Sequence, residues 1–271
     1  MTTKCLTENM RPGCSKKAAI SVFCRKYRQR IMKQFLPVFF LLFSASAASA
    51  QPLTAKSFYK KGIEQRDKGL FLDAMGSFKR AIVLNKNFDS AYLEAGSIYA
   101  RTTRPDSAVW FFKKAISINT KFTAAYIALG NFYRDVQPTN FDSALSCYMA
   151  AIRLDSSNKV TYYSIAWCYN AKSEYEKAIP FAVKALNIDN DYKPAYSELG
   201  HAYRRTGKFK EGIEQFKKNL SVSVVDLALL YSGFCYLELK DKESALQQYE
   251  ALKKVNEKMA ESLKKRIDAT Q

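Results

Sequence analysis

A beat of 34 residues runs through most of this chain and limits what it can fold into. Gly62, Gly96 and Gly130 are 34 apart, as are Ala81 and Ala115. After two extra residues near Gln137 to Asn140 the beat resumes, with Ala151 and Ala185 again 34 apart and Gly200 and Gly233 separated by 33. A period of this length marks a stack of similar supersecondary units, each burying its apolar face only against its neighbours. The units align as residues 55–88, 89–122, 123–158, 159–192, 193–225 and 226–258.

Each unit reads as two amphipathic helices joined by a tight turn. In the first helix an aromatic, a small residue and a tyrosine recur at spacings of four and three: Tyr92, Gly96, Tyr99; Tyr126, Gly130, Tyr133; Tyr162, Ala166, Tyr169; Tyr196, Gly200, Tyr203. That spacing puts all three on one helical face. The second helix repeats small, aromatic, small, as in Ala74, Phe78, Ala81 and Ala144, Tyr148, Ala151. A small residue at a crossing lets two helix axes approach to about 8 Å, and the aromatic fills the space beside it. With 48% hydrophobic residues, 10 Gly and 7 Pro, the chain has ample material for a helical core.

These residues resemble the tetratricopeptide repeat (TPR) family from Ala55 to Lys258. The family pattern is matched most fully by Tyr126, Leu129-Gly130, Tyr133, Ala144, Tyr148 and Ala151. The resemblance implies an all-α superhelical solenoid of about six helical hairpins, with a concave groove lined mostly by the first helix of each. Departures are Gln65 in the first unit, Gly212 and Asn219 in the fifth, and Leu252 in the sixth. The fourth unit has Ala182 in the aromatic slot and Pro180 within its second helix, which predicts a kink or a late helix start. Past the sixth unit, Met259, Leu263 and Ile267 recur every four residues, and residues 259–271 are expected to form a capping helix and tail.

Upstream lies an address. From Met32 the text runs from Lys33 through the apolar Phe35–Phe43 to Ala48-Ser49-Ala50, the order of a secretory signal over residues 32–50 with cleavage before Gln51. The apolar run is shorter than the roughly 20 residues of a membrane span. The expectation is an exported chain, periplasmic or secreted; an uncleaved anchor in a membrane-associated assembly is the alternative. Residues 1–31 are a basic segment, and translation from Met32 would omit it. Export removes Cys5, Cys14 and Cys24, leaving Cys147, Cys168 and Cys235 either as small buried thiols or with Cys147 bridged to Cys168.

The formal charge of +18 points toward polyanions until its distribution is read. Residues 1–50 hold nine of the 43 Lys and Arg and one of the 25 acids, leaving 34 and 24 interspersed in the repeats. That is a solvated surface rather than a phosphate stripe, so nucleic acid is not the expected partner. Catalysis is not expected either. The single histidine, His201, rules out a histidine-rich zinc site, and no GxGxxG, P-loop, nucleophile elbow or calcium loop occurs. No cofactor, metal or small-molecule substrate is expected.

What remains is binding of other proteins or peptides. If the Tyr-Gly-Tyr face packs inward, residues one step later are rotated by about 100° and line the groove. They are Ile127, Asn131, Arg134; Tyr163, Trp167, Asn170; and Ser197, His201, Arg204. Aromatics flanked by amide and guanidinium donors suit an extended peptide; the alternative for Tyr163 and Trp167 is core, if the fourth unit is rotated around Pro180. Some members of the resembled family clamp a terminal carboxylate, but only Asn131 matches a clamp position here. In the last unit Leu230, Phe234 and Leu237 are either an apolar anchor or a face covered by the terminal helix. Competing readings are a binder of anionic envelope polymers or nucleic acid, using Lys217, Lys218, Lys253 and Lys254, and a structural bridging subunit of a larger assembly.

Overall fold

A computed structural model describes residues 53–102, 105–136, 139–219 and 225–270. The upstream segment 1–31, the signal expected over 32–50, and Cys5, Cys14 and Cys24 lie outside the described residues. Among the described residues the regular structure is thirteen α-helices, without a strand. They pair as α1 (Ala55–Asp67) with α2 (Phe71–Leu84), α3 (Asp89–Ala100) with α4 (Pro105–Ile118), and α5 (Thr123–Asp135) with α6 (Phe141–Leu154). Next come α7 (Lys159–Ala171) with α8 (Tyr175–Ile188), α9 (Lys193–Arg205) with α10 (Phe209–Asn219), and α11 (Val225–Glu238) with α12 (Lys242–Lys253). A last helix, α13 (Glu257–Ala269), follows the sixth hairpin. No helix among the described residues is long and apolar enough to cross a membrane.

The hairpins reverse and join by repeated local chemistry. Four hairpin turns share one bond, from an N–H to the carbonyl five residues back: Leu70 to Gln65, Glu174 to Tyr169, Lys208 to Tyr203 and Asp241 to Tyr236, at 2.8 or 2.9 Å. The bond satisfies an orphan carbonyl at the helix end and forces the preceding residue left-handed. Gly69 and Gly207 accept φ of 76° and 77° without a Cβ penalty, whereas Ser173 and Lys240 hold 61° at some cost. Between hairpins, Asn85, Asn119, Asp155 and Asp189 each accept the N–H two residues on. Two amides then tie this loop to the start of the preceding first helix, Asn119 Nδ2 donating to Asp89 at 2.8 Å and Asn256 Nδ2 to Asp226 at 2.9 Å. Lys159 pairs with Asp189 in the same relation.

Inside each hairpin the glycine is a notch for a ring. A Cβ placed on Gly62, Gly96, Gly130 or Gly200 would stand 2.5–2.7 Å from Phe78, Phe112, Tyr148 or Phe216 respectively. All four rings are at most 2% exposed. Burying each stabilises by roughly 1.5–3 kcal/mol, more than the ~1 kcal/mol that a helical glycine costs against alanine. The reverse holds at Gly76, mid-helix in α2, where an added Cβ meets nothing within 4 Å. Gly76→Ala is therefore expected to stabilise the protein by about 0.5–1 kcal/mol, read as a raised urea midpoint; a lowered midpoint would contradict it.

The fourth hairpin solves the same packing problem with different volumes. Ala166 and Ala182, both fully buried, replace the glycine and the ring. The aromatic has moved one residue, to Phe181, which stacks on Tyr169 with centroids 5.6 Å apart. Of the kink or late start that Pro180 predicts, the late start does not occur: α8 begins at Tyr175 and continues through Pro180 to Ile188. Proline removes one backbone donor, and buried Ala178, Ala182 and Ala185 hold the helix against its neighbours.

In the sixth hairpin the notch is filled from outside. A Cβ on Gly233 would lie 2.6 Å from Leu263 of α13. Leu263 and Ile267 join Leu230, Leu237 and Leu252 in one buried cluster with Phe234 packed against it, so the apolar stripe of the last unit is covered by the terminal helix. Cys147, Cys168 and Cys235 are free thiols, and no Cys147–Cys168 bridge forms. Burial pushes Cys168 and Cys235 up to about 12, which leaves both unreactive at neutral pH.

Candidate peptide-binding groove

With Tyr92, Tyr162 and Tyr196 buried inside the hairpins, the residues one step on emerge along the first helices. Five of the nine predicted groove residues line one cavity of about 510 Å³: Tyr163, Trp167 and Asn170 from α7, and Ser197 and His201 from α9. Phe216 of α10 and Tyr231 of α11 complete its aromatic wall. Ile127 and Asn131 belong to a second cavity of about 460 Å³, which also includes Arg66, Glu94 and Arg101. Arg134 and Arg204 line neither.

The two arginines are engaged by their own chain. Arg134 grips Asp135 through Nε and Nη2 at 2.6 and 2.9 Å, reaches Ser164 Oγ with Nη1 at 3.3 Å, and lies over Trp167 at 5.6 Å. Arg204 lies 4.8 Å over Tyr231, with its Nε buried and unpartnered. The sequence suggested that arginines at these positions pair with a ligand carboxylate; in the structure their guanidinium groups lie against Trp167 and Tyr231. Asn170 likewise ties two hairpins, its Nδ2 donating to the Glu198 carbonyl at 3.0 Å and to Glu198 Oε2 at 2.8 Å. A similar link, 28 residues long, joins Arg66 to Glu94 at 2.6 Å.

The remaining groove residues are positioned as partial wall and partial core. Trp167 meets Phe141 edge-on at 5.8 Å and packs against the cluster of Leu145, Tyr148 and Ile165, so it serves both roles weighed for it. Tyr163 meets Tyr192 edge-on at 5.7 Å, and burial pushes its hydroxyl up to about 12. His201 sits between Tyr175 and Tyr231, each at 5.7 Å. Burial, with Arg204 and Arg205 nearby, pushes its pKa down to about 4, so it is neutral at pH 7. Asn131 is set by the hydroxyl of Tyr148, which donates to its Oδ1 at 2.7 Å, and its amide N–H donors have no partner among the described residues. Sequence reading missed Glu198, Phe216 and Tyr231. The signal available for them was the beat itself, since Glu198 and Tyr231 follow Glu94 in phase along the first helices.

Comparison with known proteins places this geometry. The tetratricopeptide repeat profile matches residues 89–122, 160–192 and 194–223, and a second profile of the same description matches 227–256. These four segments match tetratricopeptide repeats. The TPR array is similar to the crystal structure of MamA, at 26% identity and a TM-score of 0.56, covering 63% of this chain and 92% of that one. It shares its fold with YrrB, described as a TPR protein with an unusual peptide-binding site, at 20% identity and a TM-score of 0.62 over 69% of this chain and 97% of YrrB. Among curated relatives, the Small glutamine-rich tetratricopeptide repeat-containing protein 2 of Saccharomyces cerevisiae is 32% identical over 83 residues, 31% of this chain and 24% of that protein. The human DnaJ homolog subfamily C member 3 is 32% identical over 77 residues, 28% of this chain and 15% of that protein. This chain thus spans about a quarter or less of the length of these two relatives.

The groove offers stacking surfaces and fixed polar atoms. Its one histidine is neutral and packed between rings, and among the described residues no three of His, Cys, Asp and Glu stand together as metal ligands. Aromatic walls beside a few fixed polar atoms suit a ligand held by stacking and directed hydrogen bonds.

Proposed function

We propose that this TPR array is a non-enzymatic scaffold of an exported compartment that holds an extended segment of another protein along its first helices. The observation that carries the reading is the cavity walled by Tyr163, Trp167 and Tyr231, where three successive first helices contribute to one site. Aromatic anchors of this kind dominate binding energy at protein interfaces. The placement in an exported compartment rests on the signal-like order of residues 32–50.

Affinity capture from envelope extracts, comparing the wild-type chain with Trp167→Ala, tests the groove. Loss of the partner by the variant, about thirtyfold in affinity with helix content unchanged, is the expected result. Recovery of the same partners by both baits would refute it. Binding that collapses steeply with log salt would instead favour an anionic polymer as ligand. Intact mass of the exported chain reports the compartment, a product beginning at Gln51 being expected.

A further inference from the structure

The cavity between α7, α9 and α11 contains a carboxylate without a counter-charge. Glu198 lines it, and its Oε2 accepts from Asn170 at 2.8 Å. Its other oxygen has no partner, and no cation pairs with it, among the described residues. Lys193 also lines the cavity but makes no ion pair there among the described residues. Burial pushes the Glu198 carboxyl above the usual range, opposed only by the bond from Asn170. Beside it, Asn170 is 7% exposed and its Oδ1 is buried without a donor. A desolvated carboxylate is costly in the free protein and is relieved by a ligand that brings N–H donors and a positive charge.

The walls favour one shape of cation. Tyr163, Trp167 and Tyr231 present rings to the cavity, and the chain already packs its own guanidinium groups on two of them, Arg134 on Trp167 and Arg204 on Tyr231. A guanidinium stacks on a ring while its fork of five donors reaches a carboxylate, which a lysine ammonium does less well.

Resting on the groove reading above, we infer that the anchor residue of the bound segment is an arginine, its guanidinium stacked between these rings and paired with Glu198. The ligand therefore belongs to the class of basic peptides, read by the Glu198 carboxylate, rather than to the acidic or carboxylate-terminated class.

Fluorescein-labelled pools of short randomised neutral peptides, each with one fixed central Arg, Lys, Asp or Leu, test this by anisotropy against the full-length chain. The Arg pool should bind best and lose about thirtyfold with Glu198→Gln, the loss expected when one partner of a buried charge pair is removed. That variant keeps the bond from Asn170 and should leave the thermal midpoint of the free protein unchanged or raised, so weakened binding is not a folding defect. Equal affinity of wild type and Glu198→Gln for the Arg pool overturns the inference, and a Lys pool that binds as tightly overturns the choice of arginine. Preference for the Leu or Asp pool, lost with Trp167→Ala but not with Glu198→Gln, overturns the arginine anchor while leaving the groove intact. No binding by any pool, or binding indifferent to Trp167→Ala, overturns the groove and the anchor together.

Discussion

Phe216→Ala is expected to cost about 3–5 kcal/mol, and Gly200→Ala about 1–3 kcal/mol, yet the double variant should cost measurably less than their sum. The single losses have opposite causes. Phe216 is 1% exposed and fills the notch at Gly200, so its removal leaves a cavity. A methyl on Gly200 instead enters the ring, with a Cβ 2.7 Å from Cε1, so α9 and α10 must move apart. With the ring gone, the new methyl occupies part of the vacated space. Nature has made this exchange one hairpin earlier, where Ala166 and Ala182 are both fully buried. Urea unfolding of the two singles and the double completes the cycle; strict additivity would show that glycine and ring are not coupled.

Leu263→Asp should disrupt the C-terminal hairpin, with a loss above about 4 kcal/mol for a carboxylate placed where no partner waits. Leu263 is fully buried, sits in the notch of Gly233, and shares a cluster with Leu230, Leu237 and Leu252. Leu263→Ala, which removes volume without adding charge, should cost about 2–5 kcal/mol. Because stability in a stacked array is a sum of neighbour terms, limited proteolysis should cut the aspartate variant first around α11 to α13 while residues 55–205 stay protected. An unchanged cleavage pattern would show that α13 is not what holds the sixth hairpin.

Much of this architecture is legible in the residues because one unit, read several times, corrects its own noise. Gly62, Gly96, Gly130 and Gly200 announce the notches, and the rings sixteen or eighteen residues later fill them. The groove stripe is legible for a similar reason: a rotation of about 100° from a buried face follows from helix geometry alone. Of the nine residues it names, Tyr163, Trp167, Asn170, Ser197 and His201 line one cavity.

What could not be read is what depends on the angle between hairpins. Arg134 meets Ser164, and Asn170 meets Glu198, across 30 and 28 residues. A helical wheel drawn for one unit holds no information about which atom of the next unit lies opposite. Hence the contacts of Arg134 with Trp167 and of Arg204 with Tyr231, and the place of Glu198 in the cavity, were not legible in a single unit. Pro180 pointed to a late start that does not occur, since proline removes only one backbone donor and the helix continues through it from Tyr175 to Ile188.

The substantial helix contacts join elements no more than two places apart in the sequence of helices. Among the described residues, no distant element has to find its mate before a given joint can close. Assembly is thus like fastening a row of buttons, where each closes over a short span and a missing one leaves the rest of the row done up.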